Sequence, residues 1–173
     1  MPDDPGAIAF TDDSRPRLPV PILDADGALE VLRVARRIAI VGASPERWRA
    51  SNSVMAYLLE YGYECVPVNP NASSVLGRTC YPSLEAAVAA VAVKSVEPKP
   101  GPPFDIVDVF RRPEYTPEVA RSAVATGCGT FWLQQRIISW EAARIAHDGG
   151  LKVVMDRCTA VDHRHLREVS GKG

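Results

Sequence analysis

At 173 residues, 46% hydrophobic and 24% charged, with a formal net charge of −1, the chain is sized for one domain with a substantial core. Near-neutral charge argues against a general nucleic-acid or membrane-surface role, because both need a strong basic field. No apolar run approaches about 18 residues, and the amino terminus MPDDPGAIAF is acidic without a signal-peptide core, so a cytoplasmic protein is expected.

Residues 1 to 21 are rich in Pro and Asp and carry no periodicity, which predicts a flexible arm ahead of a domain over 22–169. From Asp24, DADGALEVLRVARR places acids first and bases last around an apolar stripe, the order that suits a helix and its dipole. Five apolar runs then follow: RIAIVGA (37–43), ECVPVN (64–69), FDIVDVF (104–110), TFWLQ (130–134) and LKVVMD (151–156). Helical patterns separate them at 53–62, 83–92, 116–127 and 139–150, with Ser83 an N-cap and Pro117 at a first turn. The stretch 93–103, rich in Pro and charge, is expected to be a surface excursion. Continuous apolar strands alternating with helices of about ten residues predict right-handed crossovers. The expected fold is α/β: a Rossmann-like, doubly wound parallel sheet of about five strands with helices on both faces.

In such sheets ligands sit beyond the carboxyl ends of the strands, beside the first. There Gly42, Ala43 and Ser44 open a long polar loop with hydroxyls (Ser51, Ser53), an amide (Asn52) and two guanidiniums (Arg47, Arg49), groups that bind phosphate. The Gly-x-Gly-x-x-Gly of a dinucleotide site is absent, and Asn69-Pro70-Asn71 ends the second strand where such a site needs an acid. At the end of the third strand stand Phe110, Arg111 and Arg112, and at the end of the fourth Gln134, Gln135 and Arg136. Trp132 is expected in the core, and the loop is expected to hold a helix cap at Ser51 or Asn52.

Catalytic patterns are missing: no Gly-x-Ser-x-Gly, His-Glu-x-x-His or Walker sequence occurs. His147 is expected to be exposed on a helix, and His163 and His165 to lie in a solvated basic tail. Cys65, Cys80, Cys128 and Cys158 have no C-x-x-C spacing and read as free thiols rather than a zinc set. Cys158 follows Arg157, a neighbour able to activate a thiol, although a buried structural cysteine is the plainer expectation.

The strings IAIVGASP, YGYECVPVNPN, LGRTCYPSLEA, FDIVDVFRRPE, FWLQ and GLKVVMDRCTAVDH occur in that order between about 24 and 166. Together they resemble the single-domain CoA-binding protein family, related to the CoA-binding domain of the succinyl-CoA synthetase alpha subunit. The resemblance implies that Gly42, Ala43, Ser44 and the following loop meet the coenzyme A pyrophosphate, and that Asn69 and Pro70 border the adenosine. Phe110, Arg111 and Arg112 would lie along the same cleft, and Leu133, Gln134 and Gln135 would add contacts. Two departures stand out: Asn71 occupies a position often basic in the family, and Gln135-Arg136 replaces a residue followed by Gly. The implied function is binding of coenzyme A or an acyl-CoA by a non-catalytic carrier or sensor. Acyl-CoA synthesis by this chain alone is not expected. The competing readings are an NAD(P)-binding oxidoreductase and a ligand-free scaffold for a protein partner.

Overall fold

The structure is a computed structural model and describes residues 19–95 and 100–171. The predicted arm lies largely outside these residues, as does the middle of the 93–103 excursion. In chain order the elements are α1 (Ala25–Val34), β1 (Arg37–Val41), α2 (Ala50–Glu60) and β2 (Glu64–Val68). A hairpin of β3 (Ser74–Val75) and β4 (Arg78–Thr79) leads to α3 (Leu84–Lys94) and β5 (Ile106–Val109). A single 3-10 turn (Pro113–Tyr115) then precedes α4 (Thr116–Ala125), β6 (Thr130–Leu133), α5 (Trp140–Asp148), β7 (Lys152–Val154) and α6 (Thr159–Ser170).

The main sheet is parallel throughout, in the order β2-β1-β5-β6-β7. The chain therefore turns back beside β1, and the switch point lies between β1 and β5. Both faces are covered, which is why the strands read as unbroken apolar runs. Ile38 and Ile40 of β1 face one layer with Ile106, Trp132 and Val154, against α1, α2 and α6. Ala39 and Val41 face the other with Val107, Val109, Phe131 and Leu133, against α3, α4 and α5. Trp132 is fully buried, as expected, and its indole N–H donates to the Arg157 carbonyl at 2.8 Å.

Helix starts follow their caps where caps exist. Asp24, Ser83 and Ser139 each accept a hydrogen bond from a backbone N–H in the first turn of α1, α3 and α5. The hairpin was not legible because its turn, Leu76-Gly77, takes positive φ (49° and 71°) without the usual Asn or Asp.

The larger difference is α6, which occupies the stretch expected as a tail. Its inner face is Thr159, Ala160, Asp162, His163 and Leu166, a helical spacing disguised by polar residues. His165 is exposed as expected, but His163 is buried, with only 8% of its surface exposed. It sits among Tyr57, Tyr61 and Tyr63, with ring centroids 5.3–5.6 Å away, and its Nδ1 lies 3.0 Å from the Tyr57 hydroxyl. The ring is tolerated inside because it is neutral: burial, then the Arg167 charge, hold its pKa below the ordinary value. The folded ring binds its proton less tightly than the unfolded one. Its contribution is therefore complete above the unfolded pKa of about 6.5 and is lost as pH falls from there toward the folded value. His163→Ala should lower unfolding free energy by about 2 kcal/mol, against less than about 0.5 kcal/mol for His165→Ala. Urea melts at pH 7.5 and 5.5 measure this, and equal effects of the two substitutions at pH 7.5 contradict the packing described.

Candidate functional site

At the carboxyl ends of β1, β2, β5 and β6 lies a cleft of about 990 Å³. Of the residues singled out from sequence, Gly42, Ser44, Ser51, Asn69, Asn71, Phe110, Arg111, Arg112, Gln134 and Gln135 line it. Ala43 and Leu133 do not; both are buried in the layers beneath. Arg47, Asn52, Ser53 and Pro70 also lie off its wall. Of the two loop guanidiniums expected to meet phosphate, Arg49 reaches the cleft and Arg47 does not. Glu46, Ala50, Val54, Pro113, Tyr115, Arg136, Ile137 and Cys158 complete the lining.

Gly42 sets the shape of the floor. Its φ of +84° suits glycine, and a Cβ there would collide with the Phe110 carbonyl oxygen. The loop that follows is held by its own polar side chains. Ser44 N–H donates to Ser51 Oγ at 3.1 Å, and Asn52 Nδ2 donates to the Ser44 carbonyl at 2.9 Å. Asn69 Nδ2 donates to the Ala43 carbonyl at 2.7 Å, while Asn69 Oδ1 accepts the Asn71 N–H at 2.9 Å. These amides and hydroxyls shape the loop, and Ser44, Ser51, Asn69 and Asn71 also line the cleft.

Neither Ser51 nor Asn52 caps α2. The N-cap is Arg49, without a side-chain hydrogen bond and without an acid in the first turn. Ala50 and Ser51 of that turn line the cleft, so uncapped N–H groups and the positive end of the helix dipole face it. Four guanidiniums add charge: Arg49, Arg111, Arg112 and Arg136. Arg49 stacks over Trp48, 4.3 Å from the ring centroid, and pairs with Glu46 at 3.3 Å. Arg111 stands over Tyr115 at 5.0 Å. Among the described residues, Arg111, Arg112 and Arg136 have no carboxylate partner. The arrangement suits a polyanionic ligand with two or more phosphates.

Behind the wall a carboxylate is sealed in. Asp108 of β5 has no exposed surface; its Oδ1 accepts from Gln134 Nε2 and its Oδ2 from Thr159 Oγ1, both at 2.8 Å. Gln134 Nε2 also donates to Thr159 Oγ1 at 2.9 Å. Burial pushes the Asp108 carboxyl up to about 7 despite these donors.

Cys65, Cys80 and Cys128 are buried, and burial raises their thiols, that of Cys65 to about 12. Cys158 is different, half-buried on the cleft wall. Its expected charged neighbour turns away: Arg157 makes a two-pronged pair with Asp162 at 2.7 and 2.8 Å. Among the described residues no group of three or more His, Cys, Asp or Glu is placed to hold a metal. No described helix is long and apolar enough to cross a membrane.

Comparison with known proteins decides the family. The CoA binding domain family model matches residues 36–164. The chain belongs to the CoA-binding domain family. The CoA-binding domain is 37% identical to the uncharacterised protein YneT of Bacillus subtilis over 134 residues, 78% of this chain and 90% of that one. It superposes with a TM-score of 0.69 on a hypothetical protein from Pyrococcus horikoshii, at 37% identity over 83% of this chain and 92% of the other. A Thermus thermophilus protein gives the same TM-score at 30% identity, over 83% and 99% of the two chains.

Of the two departures noted in sequence, Arg136 resolves in an unforeseen way. The backbone keeps a left-handed conformation there, φ +70°, with the Arg136 N–H donated to Asp156 Oδ1 at 2.6 Å. The turn of this CoA-binding domain is thus preserved under strain, and a guanidinium is delivered to the cleft. Arg136→Gly should raise unfolding free energy by about 1 kcal/mol, since a left-handed non-glycine residue costs about 1–2 kcal/mol. A lower midpoint in urea for the glycine variant contradicts the strain.

Proposed function

We propose that residues 22–169 form one module that binds coenzyme A, free or acylated, in this cleft and acts as a non-catalytic carrier or sensor. The supporting observation is the meeting of an uncapped α2 N-terminus with Arg49, Arg111, Arg112 and Arg136 over a glycine floor that admits a backbone-hugging phosphate. The residues fit the ligand. Gly42 leaves room, Ala50 and Ser51 offer N–H groups to the pyrophosphate, and the arginines balance the remaining charge. Asn69 shapes the end beside the adenosine, with Asn71 next to it, so the grip on an extra ribose phosphate falls to the guanidiniums. Among the described residues no general acid–base pair faces the cleft: the carboxylate of Glu46 is engaged by Arg49, and Asp108 is sealed behind the wall. The module would act in the cytoplasm, with a protein partner receiving or reading the bound coenzyme.

Calorimetric titration with coenzyme A, dephospho-coenzyme A, NAD and NADP tests the reading. Coenzyme A should bind with a micromolar Kd and, at about 100 times Kd, stabilise the fold by about 2.7 kcal/mol. Arg111→Ala should weaken it by about 1.5–3 kcal/mol, the cost of a charge-assisted hydrogen bond, with the fold intact. Stabilisation by NADP and none by coenzyme A identifies a different nucleotide. A separate check uses the cleft thiol: coenzyme A disulfide should give one adduct by mass spectrometry, at Cys158, and none in Cys158→Ser. An even spread over Cys65, Cys80 and Cys128 would place the thiol arm elsewhere.

A further inference from the structure

We infer that Asp108 is a positioning residue that holds the Gln134 side chain with its amide oxygen toward the cleft, where it accepts a hydrogen bond from an amide N–H of the ligand's pantetheine arm. The inference rests on the coenzyme A reading and adds a specificity element to it. Its basis is a count of hydrogens. An ionised carboxylate accepts only, and Asp108 is met by two groups, Gln134 and Thr159. Thr159 has one hydroxyl hydrogen, and Asp108 Oδ2 takes it. The contact between Thr159 Oγ1 and Gln134 can then be made only by an N–H of Gln134. Both hydrogens of the Gln134 amide therefore point inward. The amide oxygen has no partner within the described protein and is not among its sealed polar atoms, and Gln134 lines the cleft. It is the end presented to a ligand.

The surroundings choose which part of the ligand reaches it. Beside Gln134 the wall carries Ile137 and Cys158, an aliphatic and a thiol group that suit a hydrocarbon chain with amides, while Arg136 on the same turn directs charge toward the phosphates. β6 stands two strands from β1, about 10 Å across the sheet, so the contact lies away from Gly42 and the α2 N-terminus that meet the pyrophosphate. A donor at position 108 would undo the arrangement, because Gln134 could then turn its oxygen inward and show the ligand an NH₂. Protonated Asp108 is such a donor, and burial places its pKa at about 7. The groups facing it are Gln134 just past β6, Thr159 from α6 and the Cys65 thiol from β2, which stays neutral with its pKa at about 12.

Affinities for coenzyme A and for adenosine 3′,5′-bisphosphate, which lacks the arm, test the assignment. In Asp108→Asn, coenzyme A should bind about five- to tenfold more weakly at pH 8, the worth of one hydrogen bond, with the bisphosphate unchanged. The ratio of variant to parent Kd for coenzyme A should shrink toward one at pH 6, where the parent also carries a proton. The double variant Asp108→Asn with Gln134→Glu exchanges donor and acceptor inside the network while keeping an oxygen toward the cleft. It should restore coenzyme A binding to within about twofold. Equal losses for both ligands, a ratio independent of pH, or no rescue overturns the proposal. Should Asp108→Asn not fold, Gln134→Met must still lose coenzyme A affinity selectively, and parental binding of both ligands overturns the proposal. Failure of the parent to bind coenzyme A overturns the functional reading and this inference with it. Binding by the parent with an unaffected Asp108→Asn overturns this inference alone.

Discussion

At the end of β1 the backbone is pinched between its two neighbours. Gly42 N–H donates to the Val68 carbonyl of β2, Phe110 N–H donates to the Val41 carbonyl, and the Phe110 carbonyl oxygen fills the space a side chain at 42 would need. Three strand ends are thereby drawn to one point with no side chain between them. The near side of the cleft hangs on that convergence. Asn69 can reach the Ala43 carbonyl only because β2 ends there, and Arg111 projects into the cleft because β5 ends two residues earlier, at Val109. The loop after Gly42 satisfies its backbone with Ser51, Asn52 and Asn69, so it is shaped before any ligand arrives. Prior ordering lowers the entropy cost of binding.

The far side of the cleft is built differently, by welding strand ends β6 and β7 to α6. Trp132 bonds the Arg157 carbonyl, Asp156 holds the Arg136 N–H, and Arg157 is locked on Asp162. Arg136 and Asp156 both have positive φ without being glycine, so two strained residues are stabilised by one short hydrogen bond between them. The same seam carries the buried triangle of Asp108, Gln134 and Thr159, which ties β5, β6 and the first residue of α6 together. A carboxylate sealed at that junction is costly to bury, and the donors Gln134 and Thr159 offset part of that cost.

Legibility in the sequence followed burial. Strands covered on both faces appear as RIAIV, CVPV, IVDV and TFWL, where the apolar side chains report the parallel sheet directly. Helix α6 did not, because Thr159, Asp162 and His163 are polar residues on its inner face, each satisfied by a partner distant in sequence or across a helical turn. In the β1–α2 loop, composition announced phosphate-binding chemistry but not its division of labour. Arg47 and Arg49 are chemically alike, and the turn of the chain into α2 alone brings Arg49 to the wall.

What the sequence determined by itself was therefore the order of the elements, the two-faced sheet and the strand ends at which a ligand cleft opens. Local periodicity and glycine placement carry that information within a window of a few residues. Only the tertiary structure decided which polar groups remain available. Ser51, Asn52 and Asn69 are engaged by backbone groups, Asp108 is sealed behind Gln134, and Arg136 is held in a conformation chosen by Asp156 twenty residues later. Hydrogen-bond partners separated by that much chain are set by the meeting of strand ends, and no local pattern encodes such a meeting.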